Sequence, residues 1–307
     1  MSDVPASTLD SADALAGQGV SRVSDYVALL KPRVMSLVVF TGLVGLWLAP
    51  GQMHPFLAAV AVVAIAIGAG ASGAINMWYD RDIDALMRRT RGRPIPAGAI
   101  DPDDALGFGI LLAIFSVVLM AVATNAVAAG LLALTIAFYV FVYTIWLKRR
   151  TPQNIVIGGA AGAFPPMIGW AAVGGDVSWG SLSLFLLIFM WTPPHFWALS
   201  LFCDDDYRRA GVPMLPVTAG VKATKRQMLA YTAALLPIGL LPTFTGVVGW
   251  GYGAFSLLAG LAFLGHALRV WRAPADDVAQ ARAMFRFSLG YLFLLFAAMV
   301  ADRLVLG

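Results

Sequence analysis

The sequence predicts an all-α, polytopic membrane protein, and its composition, mean hydropathy and long apolar stretches all indicate that class. Of its 307 residues, 60% are hydrophobic and only 12% are charged, whereas a soluble domain carries about 25% charged residues. The mean hydropathy is +0.79. A soluble protein of this size has too little interior to hide so much apolar surface. The composition therefore excludes a soluble enzyme, a disordered chain and a nucleic-acid-binding domain.

Nine apolar stretches are long enough to cross a bilayer, which takes about 20 residues in a helix. Such spans are helices, because the backbone in hydrocarbon must satisfy its own hydrogen bonds. Residues 1–24, rich in Ser, Ala and Asp, are expected to form a disordered cytoplasmic tail, and residues 25–307 the transmembrane domain. The predicted spans are 34–50, 55–78, 104–123, 126–147, 154–173, 180–202, 228–248, 252–271 and 286–305.

The basic residues predict the orientation of these helices. Of the 21 Lys and Arg residues, all but Arg303 lie in the N-terminal segment or in and beside the long connections, and the short connections contain none. The positive-inside rule places basic connections in the cytoplasm. We therefore expect a protein of the bacterial cytoplasmic membrane with a cytoplasmic N-terminus, cytoplasmic site loops and an external C-terminus.

The most informative motif closes the second span. Asn76, Asp80, Asp84 and Arg88 follow one another at intervals of four residues. On a continuous helix this spacing places them on one polar stripe, with Asp82 on the opposite face. Two carboxylates and an amide oxygen suit Mg²⁺, which takes one or two carboxylates together with substrate phosphates. The alternative is a solvated helix end in which Asp84 pairs with Arg88.

Two further polar segments lie on the same side of the membrane. Asp204–Asp206 close the sixth span, and at most two of these consecutive carboxylates could ligate a metal, because they cannot share a helix face. The alternative is an exposed acidic helix end. Tyr143, Lys148 and Arg149 belong to a basic patch that is either a diphosphate clamp or an ordinary topology anchor.

Two motifs lie within the spans themselves. His195 follows two prolines that disturb helical hydrogen bonding. It either ligates a metal or positions a substrate in a cavity, or it forms a hydrogen bond to another helix. Gly68, Gly70 and Gly73 match a dinucleotide-binding pattern, but no strand precedes them. We interpret these glycines as positions where helices approach closely.

Together these motifs resemble the UbiA superfamily of intramembrane prenyltransferases. The triplet Asn76-x-x-x-Asp80-x-x-x-Asp84 is similar to the first aspartate-rich motif of that superfamily. Longer strings resemble its haem-farnesylating branch, and the resemblance runs from about Lys31 to the end of the chain. These strings are residues 80–94, 151–159, 165–170, 194–200 and 206–217.

One departure bears on the second acidic cluster. Many members of the superfamily place a second pair of carboxylates four residues apart, whereas Ala210 stands at that spacing from Asp206. The haem branch usually has a plain Asp-Tyr pair here, which matches Asp206 and Tyr207. The resemblance therefore favours Asp206 over Asp204 and Asp205 as a ligand.

The resemblance implies a nine-helix bundle around a central cavity and Mg²⁺-dependent ionisation of farnesyl diphosphate. It further implies farnesyl transfer to the vinyl group of protohaem IX (haem B), giving haem O for terminal oxidase assembly. The implied partners are farnesyl diphosphate, haem B, membrane lipid, and haem A synthase or terminal oxidase assembly factors. The implied catalytic and metal-binding residues are Asn76, Asp80, Asp84 and Asp206, and the implied substrate-binding residues are Arg81, Arg88, Tyr143, Lys148, Arg149, His195 and Tyr207.

Two other functions stay open from the sequence. A UbiA-type enzyme that prenylates an aromatic quinone precursor would share the composition and the first motif, and differ only in the branch-specific strings. A membrane transporter, from a different class, would need ionisable residues near the bilayer midplane and access from both sides. Most ionisable residues here lie at one face.

Overall fold

The computed structural model describes residues 21–306, where all regular structure is helical. A π-helical segment, Phe138–Leu147, directly continues the helix Ala126–Ala137. The helices are α1 (Val23–Leu29), α2 (Pro32–Leu48), α3 (Pro55–Tyr79), α4 (Arg81–Leu86), α5 (Pro102–Ala123), α6 (Ala126–Ala137), α7 (Asn154–Gly174), α8 (Trp179–Phe202), α9 (Asp204–Arg209), α10 (Leu215–Gly239), α11 (Leu241–Phe244), α12 (Trp250–Arg272) and α13 (Ala279–Leu306).

The helices confirm the predicted all-α membrane class. Within residues 21–306, 8 helices are long and apolar enough to cross a membrane, and the pair α1–α2, bent by 56°, makes 9 if it counts as one span. Large apolar side chains such as Leu111, Val122 and Leu258 are exposed on the outside of the bundle. In a membrane these side chains face lipid rather than water.

Several helices extend beyond the predicted spans. The span predicted at 228–248 belongs to a helix that begins at Leu215 and passes a kink at Gly220, whose φ is 82°. The last helix begins at Ala279 instead of residue 286. Both extensions contain charged residues, which lower the hydropathy of a helix without stopping it. Helix α1 begins at Val23, inside the predicted 1–24 tail, while residues 1–20 lie outside the described part of the chain.

Helices α7 and α8 form the interior of the bundle. Of the membrane-spanning helices they are the most buried, since 72% and 61% of the residues in their most apolar stretches are buried. Glycines bring α2 and α7 into backbone contact, since a Cβ atom on Gly45 would lie 2.1 Å from the carbonyl oxygen of Pro166 and one on Gly169 would lie 2.1 Å from that of Gly42. The main apolar core lies between α8, α10, α12 and α13 and includes Trp197.

An open apolar groove of about 780 Å³ lies between α2 and α3 near their short connection. Trp47, Met53 and Val62 are among its lining residues. None of the candidate site residues from the sequence lines this groove. Asn76 and Asp80 lie at the opposite end of α3.

Candidate functional site

The end of α3 places three predicted ligands in a buried row. Asn76, Asp80 and Asp84 are 3%, 0% and 2% exposed. The N–H of Asp80 donates to Asn76 O at 3.0 Å, and the N–H of Asp84 donates to Asp80 O at 2.8 Å. These i to i+4 bonds carry the helical spacing across the junction between α3 and α4, so the three side chains share one face. Asp82, by contrast, is exposed.

Arg88 does not belong to this row, so the prediction of a four-residue stripe was wrong at its last member. Helix α4 ends at Leu86, and Met87 is extended at φ −93° and ψ 128°, which turns the exposed Arg88 away from the helix face. Asp84 pairs instead with Arg93, whose Nη1 lies 2.6 Å from Asp84 Oδ2.

Arg81 is also directed away from the buried row. Its side chain is exposed, and its Nη1 donates to the carbonyl oxygen of Trp78 at 2.8 Å. The guanidinium lies 5.3 Å from the centre of the Trp78 ring, within the range of a cation–π contact. In this arrangement Arg81 belongs to the surface of the bundle, and it would have to turn to reach a substrate.

Asp80 is the centre of a hydrogen-bonded cluster. Its Oδ2 accepts from the amide nitrogen of Asn76 at 2.7 Å and from the ammonium group of Lys148. Its Oδ1 lies 3.6 Å from Arg149 Nη2 and, within residues 21–306, is buried without a hydrogen bond. A buried carboxylate oxygen without a donor is costly, and it is a ready position for a cation.

The π-helical segment sets the position of the basic patch. The N–H of Lys148 donates to Tyr143 O at 2.9 Å, an i to i+5 bond that widens the last turn. The same segment places the hydroxyl of Thr144 3.2 Å from the amide nitrogen of Asn76. Tyr143 packs on Gly158, where a Cβ atom would lie 2.2 Å from the Tyr143 ring.

Arg149 links the basic patch to the exposed side of α4. Its two terminal nitrogens lie 2.7 and 2.6 Å from the carboxylate oxygens of Asp82. This hydrogen-bonded pair lowers the pKa of Asp82 and raises that of Arg149. The guanidinium also lies 4.8 Å from the ring centre of Tyr79. Arg149 therefore faces both Asp82 and the buried Asp80.

The three carboxylates of the second acidic cluster differ in burial and in their partners. Asp206 is 9% exposed and pairs with Arg209 within α9, whereas Asp205 is exposed. Asp204 pairs with the exposed Arg208 at 2.7 Å.

An apolar cluster connects the two acidic motifs. Tyr207 is buried beside Ile83 and Met87, which joins α9 to α4. Burial raises the pKa of the Tyr207 hydroxyl. Asp206 and the buried row of α3 and α4 are thereby held at the same end of the bundle.

His195 makes the interhelical hydrogen bond that was one of its two interpretations. Its Nδ1 lies 2.7 Å from the hydroxyl of Ser288 on α13. The Ser288 hydroxyl also lies 2.7 Å from Phe285 O, and the tautomer with the proton on Nδ1 satisfies both contacts, since the hydroxyl can then accept from Nδ1 and donate to Phe285 O. The imidazole stacks between Trp191 and Phe285, with ring centres 4.3 and 4.7 Å away.

The carboxylates fit Mg²⁺ as an open set of donors. No three His, Cys or Asp residues of the described chain meet as a closed metal site. Mg²⁺ does not require one, since it commonly takes one or two carboxylates and completes its shell with phosphate oxygens and water. The free Oδ1 of Asp80 and the nearby amide of Asn76 supply the donor types that this ion prefers.

Three partners in the site escaped the sequence analysis. Lys31 donates to Asn76 Oδ1 at 2.8 Å, Arg93 pairs with Asp84, and Ser288 bonds His195. A lysine beside the first apolar span was a usable signal, because a charge there is expensive unless it has a partner. Arg93 and Ser288 carried no comparable signal.

The fold and the site define an integral membrane protein whose buried carboxylates meet basic side chains at one end of a helical bundle. The chain belongs to the UbiA prenyltransferase family, whose family model matches residues 38–289. The resemblance found in the sequence is thereby confirmed.

Relatives and solved structures agree with this family. The chain is 59% identical to a protoheme IX farnesyltransferase of Brucella anthropi, covering 92% of this chain and 91% of the relative. It is 57% identical to one of Granulibacter bethesdensis, covering 94% and 93%. A structure of digeranylgeranylglyceryl phosphate synthase superposes with a TM-score of 0.74 at 17% identity, over 91% of this chain and 97% of that one. A UbiA homologue from Archaeoglobus fulgidus, bound to DMAPP and Mg²⁺, gives 0.67 at 16% identity over 89% and 99%.

Proposed function

We propose that this protein transfers the farnesyl group of farnesyl diphosphate to a vinyl group of protohaem IX, giving haem O. The observation that carries the proposal is the 57–59% identity, over more than nine-tenths of the chain, to relatives named protoheme IX farnesyltransferase. A match over 92% of the chain includes residues 80–217, where the strings that resemble the haem-farnesylating branch lie. The membrane fold and the one-sided polar site agree with this chemistry.

The diphosphate end of the site is assigned to the buried row. Asn76, Asp80 and Asp84, with Asp206 from α9, would hold Mg²⁺ on the diphosphate. The Archaeoglobus fulgidus homologue binds Mg²⁺ together with DMAPP, which supports a site for a metal and a prenyl diphosphate in this fold. When bound, the ion supplies positive charge that stabilises the departing diphosphate.

Lys148 and Arg149 are assigned to the remaining negative charge of the diphosphate. Both reach Asp80 from the end of the π-helical segment. As the bond between farnesyl C1 and the diphosphate oxygen breaks, their fixed positive charges stabilise the anion that leaves. The allylic cation left behind is attacked by the vinyl group, water captures the new cation, and a proton is released. Haem O, diphosphate and one proton are the products.

The haem end of the site is assigned to His195. It precedes the acidic cluster by nine residues, or about 13 Å along the helix, too far to touch the diphosphate. Its Nε2 makes no hydrogen bond within residues 21–306, and we assign the proton to Nδ1, beside Ser288, which leaves Nε2 as an acceptor.

We expect His195→Ala to weaken haem binding, followed by absorbance, more than it weakens diphosphate binding, followed by competition. His266→Ala is the matched control, because His266 is a half-buried histidine on another span. The assignment fails if haem affinity and haem-dependent rate are unchanged while diphosphate binding falls.

The activity itself is tested with the purified protein in detergent. Incubation with haem B, farnesyl diphosphate and Mg²⁺ should give a farnesylated haem by mass spectrometry. A parallel incubation with 4-hydroxybenzoate in place of haem B tests the aromatic quinone-precursor alternative. A prenylated benzoate without a farnesylated haem would overturn the proposal.

We also propose that the site opens to the cytoplasm in the bacterial cytoplasmic membrane. The one-sided basic connections support this orientation. A reporter inserted after Gly92 should read as cytoplasmic, and one fused after Gly307 should read as external. A cytoplasmic reading at both positions would contradict the orientation.

The farnesyl chain would keep the product within the bilayer. We therefore propose haem A synthase or terminal oxidase assembly factors as its recipients.

A further inference from the structure

Lys31 occupies a strained position at the break between α1 and α2. It is the only non-glycine residue with positive φ in the described chain, at φ 52° and ψ 53°. The left-handed conformation is uncommon for a residue with a long side chain, and such strain often accompanies a functional position. The break bends the two helices by 56° and turns the lysine toward α3.

Glycines on α3 pack against the residues at this break. A Cβ atom on Gly70 would lie 3.1 Å from the Cβ of Leu30, tighter than an ordinary contact. One turn on, Gly73 lies beside the Lys31 stem, whose Cδ would be in ordinary contact, at 3.5 Å, with an added Cβ. The stem follows the surface of α3, and its Nζ reaches Asn76 Oδ1 at 2.8 Å. Gly70 thus lets Leu30, and with it the adjacent Lys31, lie close to α3, whereas Gly68 faces Leu132 and Ser116 instead.

The contact places an ammonium group on an oxygen that the proposed metal site requires. Asn76 Oδ1 accepts from Lys31, while its amide nitrogen donates to Asp80 Oδ2, which also accepts from Lys148. A bound Mg²⁺ and the Lys31 ammonium cannot share Asn76 Oδ1 at close range, because two positive charges a few ångströms apart repel strongly in a dry site. Lys31 must therefore leave this oxygen when the ion arrives.

We propose that Lys31 is a diphosphate-binding residue, held on Asn76 Oδ1 until the metal and diphosphate enter and then moving to a diphosphate oxygen. This inference rests on the proposed function of the site. The unbranched lysine stem allows the movement, and an ammonium group is a strong donor to phosphate. Diphosphate is the nearby acceptor that the proposed reaction itself brings to this end of α3.

Inorganic pyrophosphate and Mg²⁺ provide a test that needs no turnover. The binding of each is measured by calorimetry on the full chain in detergent, with pyrophosphate titrated in saturating Mg²⁺ and Mg²⁺ titrated alone. The variants are Lys31→Met, which keeps the length of the stem, and Lys31→Asn, which tolerates the left-handed backbone. Arg33→Met is the matched control, since Arg33 is an exposed cation two residues away.

We expect both Lys31 variants to bind pyrophosphate at least tenfold more weakly, while their affinity for Mg²⁺ alone stays equal or rises. The Arg33 variant should match the wild type. Unchanged pyrophosphate affinity in the Lys31 variants would overturn the inference. An equal loss of Mg²⁺ and pyrophosphate affinity would also overturn it, because that result indicates a purely structural lysine. If the wild type itself binds no pyrophosphate with Mg²⁺, the proposed function of the site fails first.

A second measurement uses only the wild type, so it stands even if the variants do not fold. The accessibility of Lys31 to an amine-acylating reagent is read by mass spectrometry. Mg²⁺ alone should increase the modification of Lys31, because the ion displaces the ammonium from Asn76. Mg²⁺ with pyrophosphate should suppress it below the level without ligands. Equal modification in all three conditions would contradict the movement.

Discussion

Replacing Asp80 with Asn tests whether the buried row carries the reaction, rather than acidity at this end of the bundle in general. Asp80 is fully buried and meets Asn76, Lys148 and Arg149. Asp82, two residues away, has a side chain that is 60% exposed and pairs with Arg149. The substitution keeps the shape of the side chain and removes one charge, so Asp82→Asn is the matched control.

The two positions differ in the expected magnitude. Losing one fixed group that stabilises transition-state charge in a dry site costs about 10²–10³ in kcat. The exposed ion pair between Asp82 and Arg149 contributes about 0–1 kcal/mol. Removing it should therefore lower kcat by at most about fivefold. Asp80→Asn also leaves Lys148 without its carboxylate. For a fully buried pair this costs about 3–5 kcal/mol of stability, and the 16% exposure of the Lys148 side chain lessens the cost.

The assay follows farnesylated haem from haem B and farnesyl diphosphate, and the thermal unfolding of each variant shows that it is folded. We expect Asp80→Asn to lose at least about 100-fold in turnover and Asp82→Asn to stay within about fivefold. Equal losses at the two positions, in variants that unfold at similar temperatures, would refute the reasoning, because burial and helix face would then make no difference.

Three other substitutions and a chelation experiment test the second acidic cluster, the metal and the opposite end of the bundle. Asp206→Ala should lose more activity than Asp204→Ala, because Asp206 is buried and Asp204 pairs with the exposed Arg208. EDTA should stop the wild type and Mg²⁺ should restore it, and a rate indifferent to chelation would contradict the metal assignment. Asp302→Ala should lower the unfolding temperature by a few degrees, because Asp302 accepts from the N–H groups of Gly249 at 2.5 Å and Tyr252 at 2.9 Å. Such a cap is worth about 0.5–2 kcal/mol, and an unchanged unfolding temperature would contradict this role.

At the polar end of α3, residue spacing correctly predicts the shared face of three residues but not the position of the fourth. Asn76, Asp80 and Asp84 share a face because the i to i+4 bonds continue through the junction, and that follows from a local repeat. Arg88 leaves the face because Met87 is extended and packs in the cluster with Tyr207. This cluster joins segments 120 residues apart, so no local pattern could have predicted where α4 ends.

For His195, too, the sequence predicts the position of the residue but not its partner. The sequence predicts its place in the sixth span, but Ser288, its hydrogen-bond partner, lies 93 residues away. The early start of α10 at Leu215 was also hidden, because its charged residues lower the hydropathy on which the span was predicted.

By itself, the sequence determined the membrane class, the approximate spans and the end of the bundle that carries the polar chemistry. Lipid imposes those features on every segment separately, since each span must be apolar and helical wherever it packs. Only the tertiary structure decided which cation meets which acceptor: Lys31 on Asn76, Lys148 on Asp80 and Arg93 on Asp84. Electrostatic attraction depends on the distance between charges and on their burial, and the packing of the helices sets both.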